Sequence, residues 1–144
     1  EDLAKDVFLI AFRQFDSYDS ARHLRPWLFG IAFRVASGFR NRAQQAQEHQ
    51  ELSGALGEAA TDGVASTSDD AVAARQAREL VLRALQPLHP DRRAIFILHD
   101  IDGCSVPEAA QALSVPVNTA YTRLRAARQD FTSQLRRLRA GGAP

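Results

Sequence analysis

The chain has 144 residues with 45% hydrophobic and 24% charged residues, one cysteine, no methionine and a formal net charge of +1. Such a composition describes a folded protein of one ordinary domain or two small ones, and each half alone would have a thin core. The single thiol, Cys104, excludes an internal disulfide framework and suits a reducing compartment; there is no signal peptide and no apolar run able to span a bilayer.

The first element is "EDLAKDVFLIAFRQF", already under way at Glu1, so the chain reads as trimmed at its front. Leu3, Val7, Ile10 and Ala11 share one side, with Phe8, Phe12 and Phe15 adjoining, an apolar stripe wide enough that the helix should be largely covered. A turn-like "DSYDSA" precedes a second helix, signalled by Pro26 near its start and by Leu24, Leu28, Ile31, Val35 and Phe39 at helical steps. Phe29 and Phe33 point to the opposite side. Two readings stay open for them: core residues facing a helix outside this chain, or platforms that stack on unpaired bases beside Arg40.

"AQQAQEHQEL" can extend that helix, and "ELSGALGEAATDGVASTSDDA" then loses bulky apolar residues and reads as a flexible linker. If about 26 residues are flexible, their relaxed span is roughly 28 Å and their full extension about 85 Å, so two modules could sit together or far apart.

"DDAVAARQARELVLRALQPL" and "PDRRAIFILHDIDG" are two further amphipathic helices, the latter closed by Gly103. Ser105 and Glu108 have capping-box spacing, which starts a short helix ending near Leu113. "SVP" makes a turn and Pro116 bars continuation. In the last helix Ala120, Leu124, Ala127, Phe131, Leu135 and Leu138 form an apolar stripe, with Asn118, Tyr121, Thr122, Arg125, Gln129 and Arg136 roughly opposite. With Ala110 permitting a close crossing, this is the pattern of a helix-turn-helix whose second helix enters a DNA major groove. An ordinary helical hairpin with a solvated basic face is the plainer alternative.

Charge is segregated along these elements. Arg22, Arg25, Arg34, Arg40 and Arg42 lie between Ser20 and Arg42 with no acid among them. Glu48, Glu51, Glu58, Asp62, Asp69 and Asp70 follow with no lysine or arginine from Ala43 to Ala74, and six arginines against one aspartate occupy Val117 to Ala140. Two anion-binding surfaces separated by an acidic stretch are the simplest reading. Enzyme readings fare poorly. Cys104 and His99 are five residues apart without a metal or redox motif, His23, His49, His89 and His99 have no ligand spacing, and no phosphate-binding glycine loop occurs. No catalytic residue, metal or cofactor is expected.

"EDLAKDVFLIAFRQF", "RPWLFGIAFRVASGFRNR" and "LHPDRRAIFILHDIDGCSVPEAAQALSVPVNTAYTRLRAARQDF" occur in the order found in extracytoplasmic-function (ECF, group IV) sigma factors, the small sigma-70-type subunits of bacterial RNA polymerase, which the chain resembles over nearly its whole length apart from the linker. The resemblance implies an all-α protein of two small helical domains joined by a flexible acidic linker. These are an incomplete sigma region 2 at 1–45, a linker at 46–68, and at 69–144 a sigma region 4 with a four-helix, helix-turn-helix fold. It implies a promoter-specificity factor in the cytoplasm, at the nucleoid, whose partners are core RNA polymerase through the β′ clamp, promoter DNA and an anti-sigma factor able to hold it at the membrane. No small-molecule substrate is implied.

Carried over by position, Asp2, Leu3, Asp6, Val7 and Phe8 fall in the helix that in the family binds the clamp. Tyr18 and His23 lie in the loop that captures a flipped-out base of the −10 element, with Phe33, Arg34, Ser37 and Arg40 on the following helix. Asn118, Thr119, Tyr121, Thr122, Arg123, Arg125 and Arg128 lie where −35 contacts concentrate; Arg125 and Arg128 are the two singled out. Trp27 matches a family tryptophan read as structural. The acidic linker would mimic a polyanion in basic polymerase channels.

Departures from the family pattern are Arg34 and Gly38 where many members carry Asn and Asp, Ser114 where a turn glycine is usual, and Tyr121 where lysine is common. Arg34 and Gly38 put strand opening in doubt. Family members also carry helix ahead of Glu1, without which the first domain would expose apolar surface. Two other functions fit the same residues: a stand-alone helix-turn-helix regulator, which would need a dimer, and a degenerate sigma-like module that occupies an anti-sigma factor.

Overall fold

The computed structural model describes residues 2–47 and 68–141, and among these all regular structure is helical. Six α-helices follow in order: α1 Leu3–Gln14, α2 Leu24–Gln47, α3 Asp69–Leu85, α4 Pro90–Phe96, α5 Val106–Ala112 and α6 Val117–Gly141. A 3-10 turn at Phe15–Ser17 follows α1, and α4 widens into a π-helical turn at Ile97–Ile101. Glu48, Glu51, Glu58 and Asp62, and with them nearly all of the expected linker, lie outside the described residues. The expected extension of the second helix is present as far as Gln47.

Four of the six starts have a side-chain cap. Asp2 accepts the Lys5 amide, Ser68 the Ala71 amide, and the His89 ring nitrogen Nδ1 the Asp91 amide, ahead of Pro90 in the first turn of α4. Ser105 and Glu108 form the reciprocal capping box that their spacing predicts. The end of α5 is a Schellman motif: the Val115 amide donates to the Ala110 carbonyl and the Ser114 amide to Gln111. Ser114 supplies the left-handed residue this motif needs, at φ 58°. A serine there is strained by roughly 1 kcal/mol relative to glycine.

α3, α4, α5 and α6 close around one core. Ile95 and Leu98 are fully buried between Ala109, Ala110, Leu113, Ala120 and Leu124. Three of these residues are alanines, so the backbones of α5 and α6 cross closely. A second patch joins Leu85, Leu88, Phe96 and Ala127, with the Phe131 ring 4.7 Å from Phe96. Gly103, at φ 79°, ends the π-turn, and His99 Nδ1 lies 2.7 Å from the Cys104 carbonyl, which makes this Cys/His neighbourhood structural.

The first module differs. α1 lies against α2 but has no buried residue, and Phe8, Phe12 and Phe15 are 65%, 84% and 60% exposed. The expectation of a largely covered α1 therefore fails, because α2 shields only the side carrying Leu3, Val7, Ile10 and Ala11. α2 buries Pro26, Gly30 and Ile31, and it does so partly against α5. Phe29 and Phe33 pack on the core formed by α4, α5 and α6, as do Ala112 and Val115. They are core residues, but their partner is the other module of this chain and not a helix outside it.

Leu98→Ala is expected to lower stability by about 2–5 kcal/mol, and Ser105→Ala by about 1 kcal/mol. Urea denaturation followed by circular dichroism checks both.

Candidate nucleic-acid interface

α6 begins directly after the Schellman turn, with its apolar stripe pressed on α4 and α5 and its opposite side outward. Asn118, Tyr121, Thr122 and Arg125 are exposed there, and Thr119 is half-buried. The Thr122 hydroxyl donates back to the Asn118 carbonyl at 3.1 Å, which holds the first turn and leaves its lone pairs outward. A surface trough runs beside this helix, lined by His99, Ser105, Pro107, Tyr121, Arg125 and Gln129. Arg125 has no ion-pair partner among the described residues.

The neighbouring arginines are committed elsewhere. Arg128 makes a two-pronged pair with Asp100 on the π-turn, Nε to Oδ2 at 2.8 Å and Nη2 to Oδ1 at 2.7 Å. Arg123 approaches Asp91 at 3.7 Å, and Asp130 receives Arg92 at 2.7 Å, so α6 is tied to α4 along its length. The Arg128 hydrogen bonds hold the Asp100 carboxyl below the usual carboxylate range, against the opposing effect of burial. Sequence reasoning grouped Arg123, Arg125 and Arg128 by their position in the family pattern; it had no means of seeing Asp91 and Asp100, which reach α6 from α4 and the π-turn.

In the first module Tyr18 is half-buried. Its hydroxyl donates to the Arg22 carbonyl and its ring lies 4.8 Å from Trp27, so this tyrosine shapes the loop after α1. His23 is exposed at the mouth of a cleft of about 200 Å³ between the two modules, lined by Arg22, Trp27 and Arg34 on one side and Glu108 and Gln111 on the other. Phe33 is packed on the second module and Arg34 Nη1 donates to the Ala112 carbonyl and to Ser114 Oγ, both at 3.2 Å. Further along α2, Arg40 donates to Ser37 Oγ at 3.0 Å. Arg40 also stands near Arg93, whose pKa is lowered by burial and by that charge. The candidate −10 residues thus separate into a loop pair, Tyr18 and His23, and a helix set in which Phe33 is half-buried against the second module and Arg34 is exposed but bonded to it. On α1, Asp2, Asp6 and Phe8 are exposed while Leu3 and Val7 are half-buried.

Gly30 explains how α2 and α5 come together. A Cβ at this position would stand 2.2 Å from the Ala112 carbonyl oxygen, well inside the 3.0 Å that such contacts essentially never breach. Arg25 Nη2 reaches Asp102 Oδ1 at 3.1 Å across the same boundary. The Asp102 side chain is only 7% exposed, and its Oδ2 is buried without a partner. Neither contact was read from the sequence; Gly30 sat within an apolar run that gave no sign of a neighbour.

Known proteins carry the same arrangement. Residues 78–131 match the family model for sigma-70, region 4. The ECF RNA polymerase sigma factor SigW of Bacillus subtilis is 28% identical over 144 residues, covering 96% of this chain and 76% of that protein. The ECF RNA polymerase sigma-E factor of Escherichia coli is 27% identical over 147 residues, covering 95% and 74%. Among solved structures, the sigma factor RpoE in complex with the anti-sigma factor NepR from Bartonella quintana aligns with a TM-score of 0.62 at 25% identity, over 94% of this chain and 79% of that one. CnrH in complex with the cytosolic domain of CnrY aligns at 0.54 and 25%, over 93% and 69%. Residues 78–131 thus carry a sigma-70 region 4, and the chain is similar over nearly its whole length to ECF RNA polymerase sigma factors.

A carboxyl with a depressed folded pKa adds stability above its unfolded pKa and loses it as pH falls through the folded value. Asp100→Asn is therefore expected to flatten the acid limb of the stability curve below about pH 4, measured as urea midpoint against pH. An unaltered limb would mean that the Arg128 pair adds nothing.

Proposed function

We propose that this chain is an ECF sigma factor that binds core RNA polymerase through the exposed side of α1 (Asp2, Asp6 and Phe8, with Leu3 and Val7 beneath), reads the −35 element with the outward side of α6, and engages the opened −10 strand with the loop after α1 and with α2. It does this without catalysis of its own. The observation that carries the reading is the start of α6: a rigid, doubly hydrogen-bonded turn delivers Asn118, Tyr121, Thr122 and Arg125 outward on a helix fixed by its other side. That is the geometry in which a second helix places its first turns on base edges.

Arg125 is assigned to a base edge, because its guanidinium is uncommitted and can take two acceptors in one plane. Arg128 is assigned first to holding α6 on the π-turn and only its remaining N–H groups to phosphate. The two modules are taken as regions 2 and 4, with a connection between them that suits a basic channel. An anti-sigma factor is the expected regulator, and the RpoE–NepR and CnrH–CnrY complexes support that expectation. No described helix is long and apolar enough to cross a membrane. We place the protein in the cytoplasm at the nucleoid.

In complexes of this chain with core polymerase, Arg125→Ala is expected to lose about 1–3 kcal/mol of binding to a −35 duplex, and to lose it unevenly across base substitutions in the site. Filter binding across a set of variant duplexes checks this. An equal loss on every duplex reassigns Arg125 to phosphate, and binding that is as tight without core polymerase defeats the sigma reading in favour of a stand-alone regulator.

A further inference from the structure

We propose that Asp100 is a specificity-determining residue of the duplex-reading surface: by pairing with Arg128 it withholds a positive charge that would otherwise bind phosphate on any sequence. The proposal rests on the assignment of α6 to duplex DNA, and Asp100 acts through Arg128 as a positioning residue.

The trough beside α6 takes side chains from two sources. Tyr121, Arg125 and Arg128 line it from α6, and His99 lines it from the π-turn. Arg128 thus belongs to the same surface as Arg125, and its side chain is 53% exposed, within reach of an approaching phosphate. What the phosphate meets there is a pair without net charge. Nε and Nη2 both donate to the Asp100 carboxylate, at 2.8 and 2.7 Å, and two parallel charge-assisted bonds fix the guanidinium in place. The remaining N–H groups can still donate a hydrogen bond, but they bring no unbalanced charge.

The surroundings of Asp100 favour this pairing. It sits in the widened π-turn, a local departure from α-helical register of the kind that recurs at functional sites. Its neighbour His99 holds Nδ1 at 2.7 Å from the Cys104 carbonyl, and since a carbonyl only accepts, that nitrogen carries the hydrogen. Nε2 of the same ring stands 3.9 Å from Asp100 Oδ1, where the neutral ring presents an acceptor and does not compete with Arg128 for the carboxylate.

Arg123 repeats the arrangement more loosely, 3.7 Å from Asp91. Of the three arginines at 123, 125 and 128, only Arg125 has no acid partner among the described residues. Sequence-independent binding grows with the number of phosphates a protein neutralises, whereas sequence is read at base edges. Acids that cancel the flanking charges therefore lower the first contribution and leave the second, which widens the ratio between specific and non-specific affinity.

The test uses complexes of the complete native chain with core polymerase. Competition binding compares a duplex carrying the −35 element with a random-sequence duplex, from about 50 to about 200 mM salt. Asp100→Asn is expected to tighten binding to the random duplex more than to the −35 duplex, and to steepen the logarithmic salt slope by about 0.9, so that the gain shrinks about 3.5-fold across that range. Asp100→Glu, which keeps the charge, is expected to behave as the native chain. The double variant Asp100→Asn with Arg128→Gln removes both charges together and is expected to match the native chain on the random duplex. A gain that survives in the double variant overturns the proposal, because it would come from the carboxylate alone. A double variant weaker than the native chain also overturns it, because Arg128 would then already be neutralising a phosphate. Weaker binding of Asp100→Asn to both duplexes reduces Asp100 to an anchor of α6 and overturns it too. Unchanged binding by Asp100→Asn overturns it as well, and Arg125→Ala then separates the causes: a loss of −35 affinity in that variant leaves the reading of α6 standing, and no loss removes that reading along with the proposal.

Discussion

A missing side chain at Gly30 determines how the two modules meet. Because nothing projects from α2 at that position, its backbone lies directly on the carbonyl end of α5, and the neighbouring contacts follow from that approach. Arg34, one helical turn on, comes within reach of the Ala112 carbonyl and Ser114. Phe29 and Phe33 flank the glycine and are drawn onto the core of the other module. The contact is modest in energy. Its hydrogen bonds are exposed, worth on the order of 1 kcal/mol or less each, and each half-buried phenylalanine adds about 1 kcal/mol. A total of a few kcal/mol makes this contact weak beside the core of the second module.

The second module is built with greater redundancy. Its core places alanines where helices cross and large residues, Ile95 and Leu98, at the centre. The turn between α5 and α6 is fixed by its own amides, and the shared core and the ion pairs from α4 and the π-turn then hold α6 along its length. The arginines of α6 divide the remaining work. Arg123 and Arg128 lean on acids from α4 and the π-turn, and the Asp100 pair is the strongest of these ties. Arg125, between them in sequence, is left to face outward. Alternation of this kind lets one helix be both anchored and available.

Much of this was legible in the sequence because it is local. The capping box at Ser105, the stop near Leu113, the break at Pro116 and the apolar stripe of α6 are patterns with fixed spacing, and each stands where its spacing placed it. Ser114 was visible as an unusual turn residue, though not as a donor's partner. What could not be read was tertiary. The coverage expected for Phe8, Phe12 and Phe15 is absent because a stripe reports the need for a neighbour and not whether one is there. Phe29 and Phe33 posed the reverse problem, a neighbouring module far along the sequence that no helical period encodes. Arg128 and Asp100 likewise meet across 28 residues, so the arginine's face was evident and its commitment was not.

The central claim is that this protein gives core RNA polymerase its promoter choice. Run-off transcription with the complete native chain, purified core polymerase and the protein's own upstream region tests that claim most directly. The account predicts a discrete start site that requires the protein. No transcript from that region, nor from the same template melted in advance around the start site, with core binding intact, would contradict it.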